Sequence, residues 1–232
     1  MDKKGTKGLK NVERGFSLAK VAAGLFAISL TKLVHESVQL ATAYDKIDNG
    51  LKTVFGSTEA AASELTFLTD ISDDLGLSLR DSADGFIKVA AAAKGTSLEG
   101  KGVKEVFRGV AEASTALGLS ADQSKGALTA ISQIMSKGKV QAEELRGQLG
   151  ERIPGAFQIA ARAMKMTTAE LDKMLERGEL LAEDFLPKFA QQLRTEFSGA
   201  ATEAANSIAA NTNRMKNAWE GTLKGMGKIA AD

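Results

Sequence analysis

Glu143, Glu144 and Glu151 fall in one short stretch, and closely spaced carboxylates are the arrangement that general acid–base chemistry requires. Arg146 and Arg152 stand among them, however, and Glu143 with Arg146 at i,i+3 reads as helix-surface pairing worth about 0.2–0.5 kcal/mol. Lys94-Gly95-Thr96-Ser97 ends like a phosphate-binding loop but lacks the upstream glycine, and no convincing strand precedes it. The chain has 1 His and 0 Cys in 232 residues, which leaves no thiolate nucleophile, no disulfide framework and no histidine-based zinc site. His35 reads as a structural or surface residue. Basic side chains are not interleaved with aromatics, and 30 Lys+Arg against 29 Asp+Glu give a net charge of +1, so no specific nucleic-acid site is expected. These residues predict a protein that is not an enzyme and has no catalytic residue, cofactor, metal or small-molecule substrate.

The elements that hold these residues read as helices. Hydrophobic residues are 44% of the chain, aromatics 5%, and there are 2 Pro, with little alternation of β-branched and polar positions anywhere. The fold class expected is all-α: an array of helical hairpins between a long N-terminal helix and a long coiled-coil-like C-terminal helix. Residues 1–11, with Lys3, Lys4, Lys7 and Lys10, form a basic flexible start. Phe16, Ala19, Ala23, Phe26, Leu30, Leu33, Val34 and Val38 then recur every three or four, so a long apolar helix occupies residues 12–56. The run between Lys20 and Lys32 is shorter than the roughly 20 apolar residues a membrane span needs, and no small-x-small cleavage site follows Leu30. Packing is the expectation for residues 16–34, with transient membrane contact as the alternative.

Further helices fit 58–74, 79–94, 102–117, 121–137, 141–150, 154–165, 168–177 and 183–196. Pro154 suits the first turn of the helix it opens, and Pro187 the first turn of one that begins near Glu183. An internal repeat runs through this region. Leu75-Gly76-Leu77-Ser78 returns 42 residues later as Leu117-Gly118-Leu119-Ser120, and Met164-Lys165-Met166-Thr167 is a weaker third copy. Ser78, Ser120 and Thr167 are expected helix caps, and Ser120 with Gln123 and Thr167 with Glu170 match the capping box. In the tail, Ala201, Ile208, Met215, Thr222 and Ile229 repeat every seven, with Ala205, Thr212, Trp219 and Met226 between them, a weak heptad seam within one helix over 198–232. Gly147, Gly150 and Gly155 suggest close backbone approach around Pro154.

The stretch Ser136-Lys137-Gly138-Lys139-Val140-Gln141-Ala142-Glu143-Glu144-Leu145-Arg146-Gly147-Gln148-Leu149, followed by Glu151-Arg152-Ile153-Pro154-Gly155-Ala156-Phe157, resembles the signature of the tape measure domain of tailed-phage tail tape measure proteins. Gly178-Glu179-Leu180 and Asp184-Phe185-Leu186-Pro187-Lys188-Phe189 continue it in the same order, and the resemblance covers roughly residues 16–225. It implies a helical structural segment, with its core at 57–197, of a protein that sets tail length during assembly and lies in the tail tube until genome ejection. The implied partners are sister copies, tail tube proteins and tail assembly chaperones, and the implied locations are the virion tail and the host bacterial cytoplasm during assembly. A fully helical chain of this length extends only about 350 Å, so it reads as a fragment, an excised domain or a truncated prophage product rather than a complete ruler. A membrane-active, pore-forming or toxin-like helical protein is the competing class.

Overall fold

The computed structural model describes residues 32–231, with side chains through residue 225. The described residues are helical from end to end, with short breaks. α1 covers residues 32–55; α2 (Thr58–Leu75), α3 (Leu79–Ala93), α4 (Lys101–Ala116) and α5 (Ala121–Lys137) follow, then a π-helix (Glu143–Leu149), α6 (Ala156–Ala163), α7 (Thr168–Arg177), α8 (Ala182–Ala204) and α9 (Ile208–Ala231). Among the described residues the one β pairing is an isolated antiparallel bridge between Lys139 and Leu181. The fold class is all-α, as the periodicity predicts. The basic start and residues 12–31 of the expected N-terminal helix lie outside the described residues, and so do the side chains of Met226 and Ile229.

The chain divides into two compact units, one of residues 45–218 and one of the residues up to Tyr44 with those from Trp219 onward. In the second unit the Tyr44 hydroxyl donates to Glu220 Oε2 at 3.4 Å, and the Lys224 ammonium stands 4.9 Å from the Tyr44 ring centroid. In the larger unit, α4 packs along α8 and α3 along α5. The α4–α8 approach is set by Gly109: a Cβ there would lie 2.8 Å from the Ala190 carbonyl oxygen, closer than real side chains come. Phe86 centres an aromatic cluster, with ring centroids 5.3 Å from Phe107, 5.7 Å from Phe67 and 5.9 Å from Phe55. Such clusters concentrate apolar burial in a core that also holds many alanines beside its leucines and isoleucines.

The repeat has one geometry in all three copies. The N–H of Leu77 donates to the Ser72 carbonyl, that of Leu119 to Ser114, and that of Met166 to Ala161, each the six-to-one bond that closes a Schellman turn. The left-handed residue of these turns is Gly76 (φ 66), Gly118 (φ 62) and, in the third copy, Lys165 (φ 56). One residue separates it from the next cap: Ser78, Ser120 and Thr167 accept from the N–H groups of Asp81, Gln123 and Glu170. Gln123 and Glu170 return the bond to the N–H groups of Ser120 and Thr167 at 2.9 and 2.8 Å. A helix stop and the next helix start are thus encoded in four consecutive residues.

Three local expectations are corrected. Pro187 is the sixth residue of α8, beyond its first turn; Glu183, whose carbonyl loses its helical donor, is exposed, where water can replace the bond. Pro154 precedes α6 instead of opening it, because Gly155 takes a left-handed conformation (φ 78) and forms the N-cap. α8 runs through Gly199 to Ala204, and the tail helix starts at Ile208, where the Ser207 hydroxyl accepts from the Ala210 N–H at 3.2 Å. The apolar side chains of the weak heptad seam are exposed, Ile208 at 87%, Met215 at 74% and Trp219 at 57%. Where α9 meets the end of α2, Ala210 is buried and polar side chains flank it. Asn213 Nδ2 donates to the Gly76 carbonyl and Asn217 Nδ2 to the Leu77 carbonyl, both at 2.8 Å, the Leu79 N–H donates to Asn217 Oδ1 at 3.1 Å, and Arg214 Nε donates to the Asp73 carbonyl at 2.6 Å. Arg214 thus satisfies a carbonyl that α2 leaves unpaired at its end, Asn213 and Asn217 those of the turn that follows, and together they fix the rotation of α9.

Candidate functional site

The motif region begins where α5 ends. After Lys137 and the left-handed Gly138, the chain runs extended for three residues, and there it meets the second part of the motif: the Val140 N–H donates to the Leu180 carbonyl at 2.8 Å and the Ala182 N–H to the Gly138 carbonyl at 3.0 Å. Two segments some 40 residues apart in sequence are tied by backbone bonds. Phe185 and Leu186 follow immediately on α8, both fully buried, and the Phe185 ring stacks on Phe189 at 5.0 Å.

Glu143–Leu149 forms a π-helix rather than the α-helix expected, with the Gly150 N–H donating to the Leu145 carbonyl five residues back at 3.1 Å. Leu145, Leu149 and Ile153 repeat every four residues and are all fully buried, as is Glu144 beside Leu145. Glu144 Oε1 is bonded to Lys137 Nζ, and its Oε2 has no hydrogen-bond partner. The bond to Glu144 raises the Lys137 pKa above its ordinary value, outweighing the opposite effect of desolvation. Glu143 and Glu151 are exposed, so the three carboxylates occupy unlike environments and two of them face water.

Arg146 does not make the Glu143 pair that its spacing suggests. Its guanidinium grips Asp172 of α7, with Nε 3.1 Å from Oδ1 and Nη2 2.5 Å from Oδ2, and lies 3.6 Å from the Phe157 ring centroid. One side chain thereby joins the π-helix, α6 and α7, using the flat fork that distinguishes arginine from lysine. Arg152 Nη1 donates to the Gln148 carbonyl at 2.8 Å, and the side chain lies across Gly126 of α5, where a Cβ would collide with it. Gly147 faces open space, with no atom within 4 Å of a Cβ built there, so the close approach expected at this glycine is absent. At Gly150 a Cβ would collide with the Arg146 carbonyl, a contact internal to the π turn. Ala156, after Pro154 and Gly155, is buried.

Around this node the Thr167 N–H and hydroxyl both donate to Glu170, and these two bonds lower its pKa below the ordinary carboxylate range. Arg162 on α6 grips Glu196 on α8 through Nε at 2.8 Å and Nη2 at 2.7 Å; that bond holds Glu196 low and Arg162 high. Sequence reasoning did not find Asp172, Gly126 or Glu196, since each partner lies on a different helix. His35 is on an exposed face, its Nε2 2.8 Å from Gln39 Nε2. Among the described residues no group of acidic or histidine side chains could hold a metal ion, and no helix is long and apolar enough to cross a membrane.

The geometry is that of a scaffold node, in which charged side chains tie helices together. The tape measure protein family matches residues 35–228 of the chain. A probable tape measure protein of Salmonella phage Felix O1 (isolate Felix O1-VT1) is 30% identical over 210 residues, which cover 89% of this chain and 28% of that protein. No solved structure matches. The chain therefore spans a little over a quarter of the length of the relative it matches. Since the family match covers most of the chain and includes both halves of the motif tied at Gly138 and Leu180, this chain belongs to the tape measure protein family.

Proposed function

We propose that this chain is a structural segment of a phage tail tape measure protein, one that helps set tail length during assembly and lies in the tail tube until the genome is ejected. The observation that carries the reading is the family match over residues 35–228. Its core is residues 57–197, and its partners are sister copies, tail tube proteins and tail assembly chaperones, in the host cytoplasm during assembly and in the virion tail afterwards. The motif residues Gly138, Glu143, Glu144, Leu145, Arg146, Gly147, Leu149, Arg152, Pro154, Gly155, Ala156, Phe185 and Leu186, with the caps Ser78, Ser120 and Thr167, act structurally and catalyse nothing. Alanine-rich helices with glycine breaks suit a segment that must exchange a compact bundle for an extended path, because each burial contact given up is small.

Removal of residues 57–197 from the full-length tail protein of a phage carrying this segment tests the reading. If the segment lies extended in the tube, tails measured by electron microscopy shorten by up to about 210 Å, at roughly 1.5 Å per helical residue. Infectious particles with tails of unchanged length would overturn it.

A further inference from the structure

The first two repeat turns open onto one cavity of about 460 Å3, within the range of roughly 300–1,000 Å3 typical of small-molecule sites. Leu77 and Leu119 of the two turns, with Phe107, Val110 and Leu128 from the helices behind them, form an apolar floor. The charged side chains in the lining are Asp81 of α3 and Lys125 of α5. Lys125 is already spent, since its Nζ lies 3.2 Å from Asp84 Oδ2. Asp81 is half-buried, and its carboxylate makes no hydrogen bond or ion pair within the chain. The electropositive start of α3 favours an acid at this position, so the fold tolerates Asp81 unpaired, but a charged donor at the carboxylate would pair it outright.

A second polar group stands unspent beside it. Ser82, the next residue of α3, also lines the cavity and is only 8% exposed, and its Oγ makes no hydrogen bond within the chain. Unlike the Ser114 hydroxyl, which is sealed off and takes no part, that of Ser82 is not closed to a molecule in the cavity. A helical serine hydroxyl ordinarily returns to a carbonyl three or four residues back, as Ser132 does to Thr129 at 2.7 Å, and Ser82 does not. Buried polar groups are paired in nearly every native structure. An unpaired hydroxyl next to an unpaired carboxylate, on one wall of an apolar cavity, is a receptor for a positively charged donor supplied from outside the chain.

We propose that this cavity binds a small organic cation, a protonated amine on an apolar body. The body lies against Phe107, Val110 and Leu128; the ammonium donates to the Asp81 carboxylate, and the Ser82 hydroxyl is its second polar contact. Such binding does not depend on the tail reading above. A molecule so placed touches α3, both repeat turns and α5, so it stabilises the compact arrangement of the bundle by mass action.

The test is calorimetric titration of the full chain, at neutral pH and low salt, with naphthalenes that share one body and differ in the head: 1-naphthylmethylamine, 1-naphthylmethanol and 1-naphthylacetate. A single site per chain is expected for the amine, about tenfold or more tighter than for the alcohol, with the acetate weakest. Asp81→Asn should bring the amine down to the affinity of the alcohol, and Ser82→Ala should weaken the amine by about two- to tenfold. Asp122→Asn, at an exposed acid in the first turn of α5 that lies outside the lining, should bind as the parent does. Ala111→Phe should abolish binding by filling the cavity; should that variant fail to fold, Ala209→Leu at the exposed mouth carries the same test. Equal affinity for amine and alcohol, an Asp81→Asn chain that keeps the preference, retained binding in the filled variants, or loss in Asp122→Asn would each overturn the proposal. A Ser82→Ala chain that holds the amine as tightly as the parent overturns the assignment of the second contact.

Discussion

The third repeat turn carries a lysine where the first two carry glycine, and the cost of that exchange can be measured. Lys165 sits at φ 56, in the left-handed region where its Cβ crowds the following carbonyl, at a cost of about 1–2 kcal/mol. Substituting glycine removes that strain but enlarges the conformational freedom of the unfolded chain, which returns about 0.5–1 kcal/mol. Lys165→Gly should therefore stabilise the fold by about 0.5–1 kcal/mol. Gly118→Ala is the reverse experiment at the equivalent position of the second turn, φ 62, and should destabilise by a similar amount. Nothing lies within 4 Å of a Cβ at Gly118, so steric collision with a neighbour does not contaminate the comparison. For a domain of this size about 1 kcal/mol moves the melting temperature by roughly 2–4 °C, well within reach of differential scanning calorimetry. Gly199→Ala, in the interior of α8 with open space around it, is the control and should stabilise through helix propensity alone. If Lys165→Gly melts at or below the parent while Gly118→Ala leaves the melt unchanged, the equivalence of the three turns is wrong.

Gly109→Ala should cost about 1–3 kcal/mol, because the added methyl meets the Ala190 backbone, whereas Gly147→Ala should not lower the melting temperature; parallel melts of the two variants check this. Lys137→Met leaves the Glu144 carboxylate buried without its cation and should lower the melting temperature, and adding Glu144→Leu to the same chain should restore much of the loss. Acid titration of stability should reveal Glu170. Its folded-state pKa is depressed by the Thr167 bonds, so its contribution is complete above the ordinary carboxylate range and is lost as pH falls through the depressed value. Thr167→Ala and Glu170→Gln should each flatten that part of a melting-temperature-against-pH curve, and a curve as steep as the parent's would show that the reciprocal cap carries no linkage.

Much of the fold was legible along the chain because its helix boundaries are local chemistry. A cap hydroxyl bonds three residues ahead, and a left-handed residue closes the turn behind it, so Ser78, Ser120 and Thr167 mark helix starts within their own neighbourhoods. The same locality explains the errors. Nothing near Glu143 announces a π-helix, although Leu145 and Leu149 within it are buried as their spacing suggests. Arg146 with Glu143 is a sound local pair, but Asp172 and the face of Phe157 offer a bidentate grip and a stacked ring together. In the tail, seven-residue spacing records which side chains share a face, and cannot say whether that face is the one that packs.

What the amino-acid sequence determines by itself is therefore most of the helices, the three repeated caps with the turns before them, and a motif specific enough to mark the family, because each depends on residues within about one or two helical turns of one another. Tertiary structure alone decided which faces meet. It turned Asn213, Arg214 and Asn217 of α9 toward carbonyls at the end of α2 and in the turn after it, and left Ile208 and Met215 exposed, because those carbonyls have no helical donor of their own. It also joined Gly138–Val140 to Leu180–Ala182, a pairing between backbone groups some 40 residues apart that leaves no trace in side-chain periodicity.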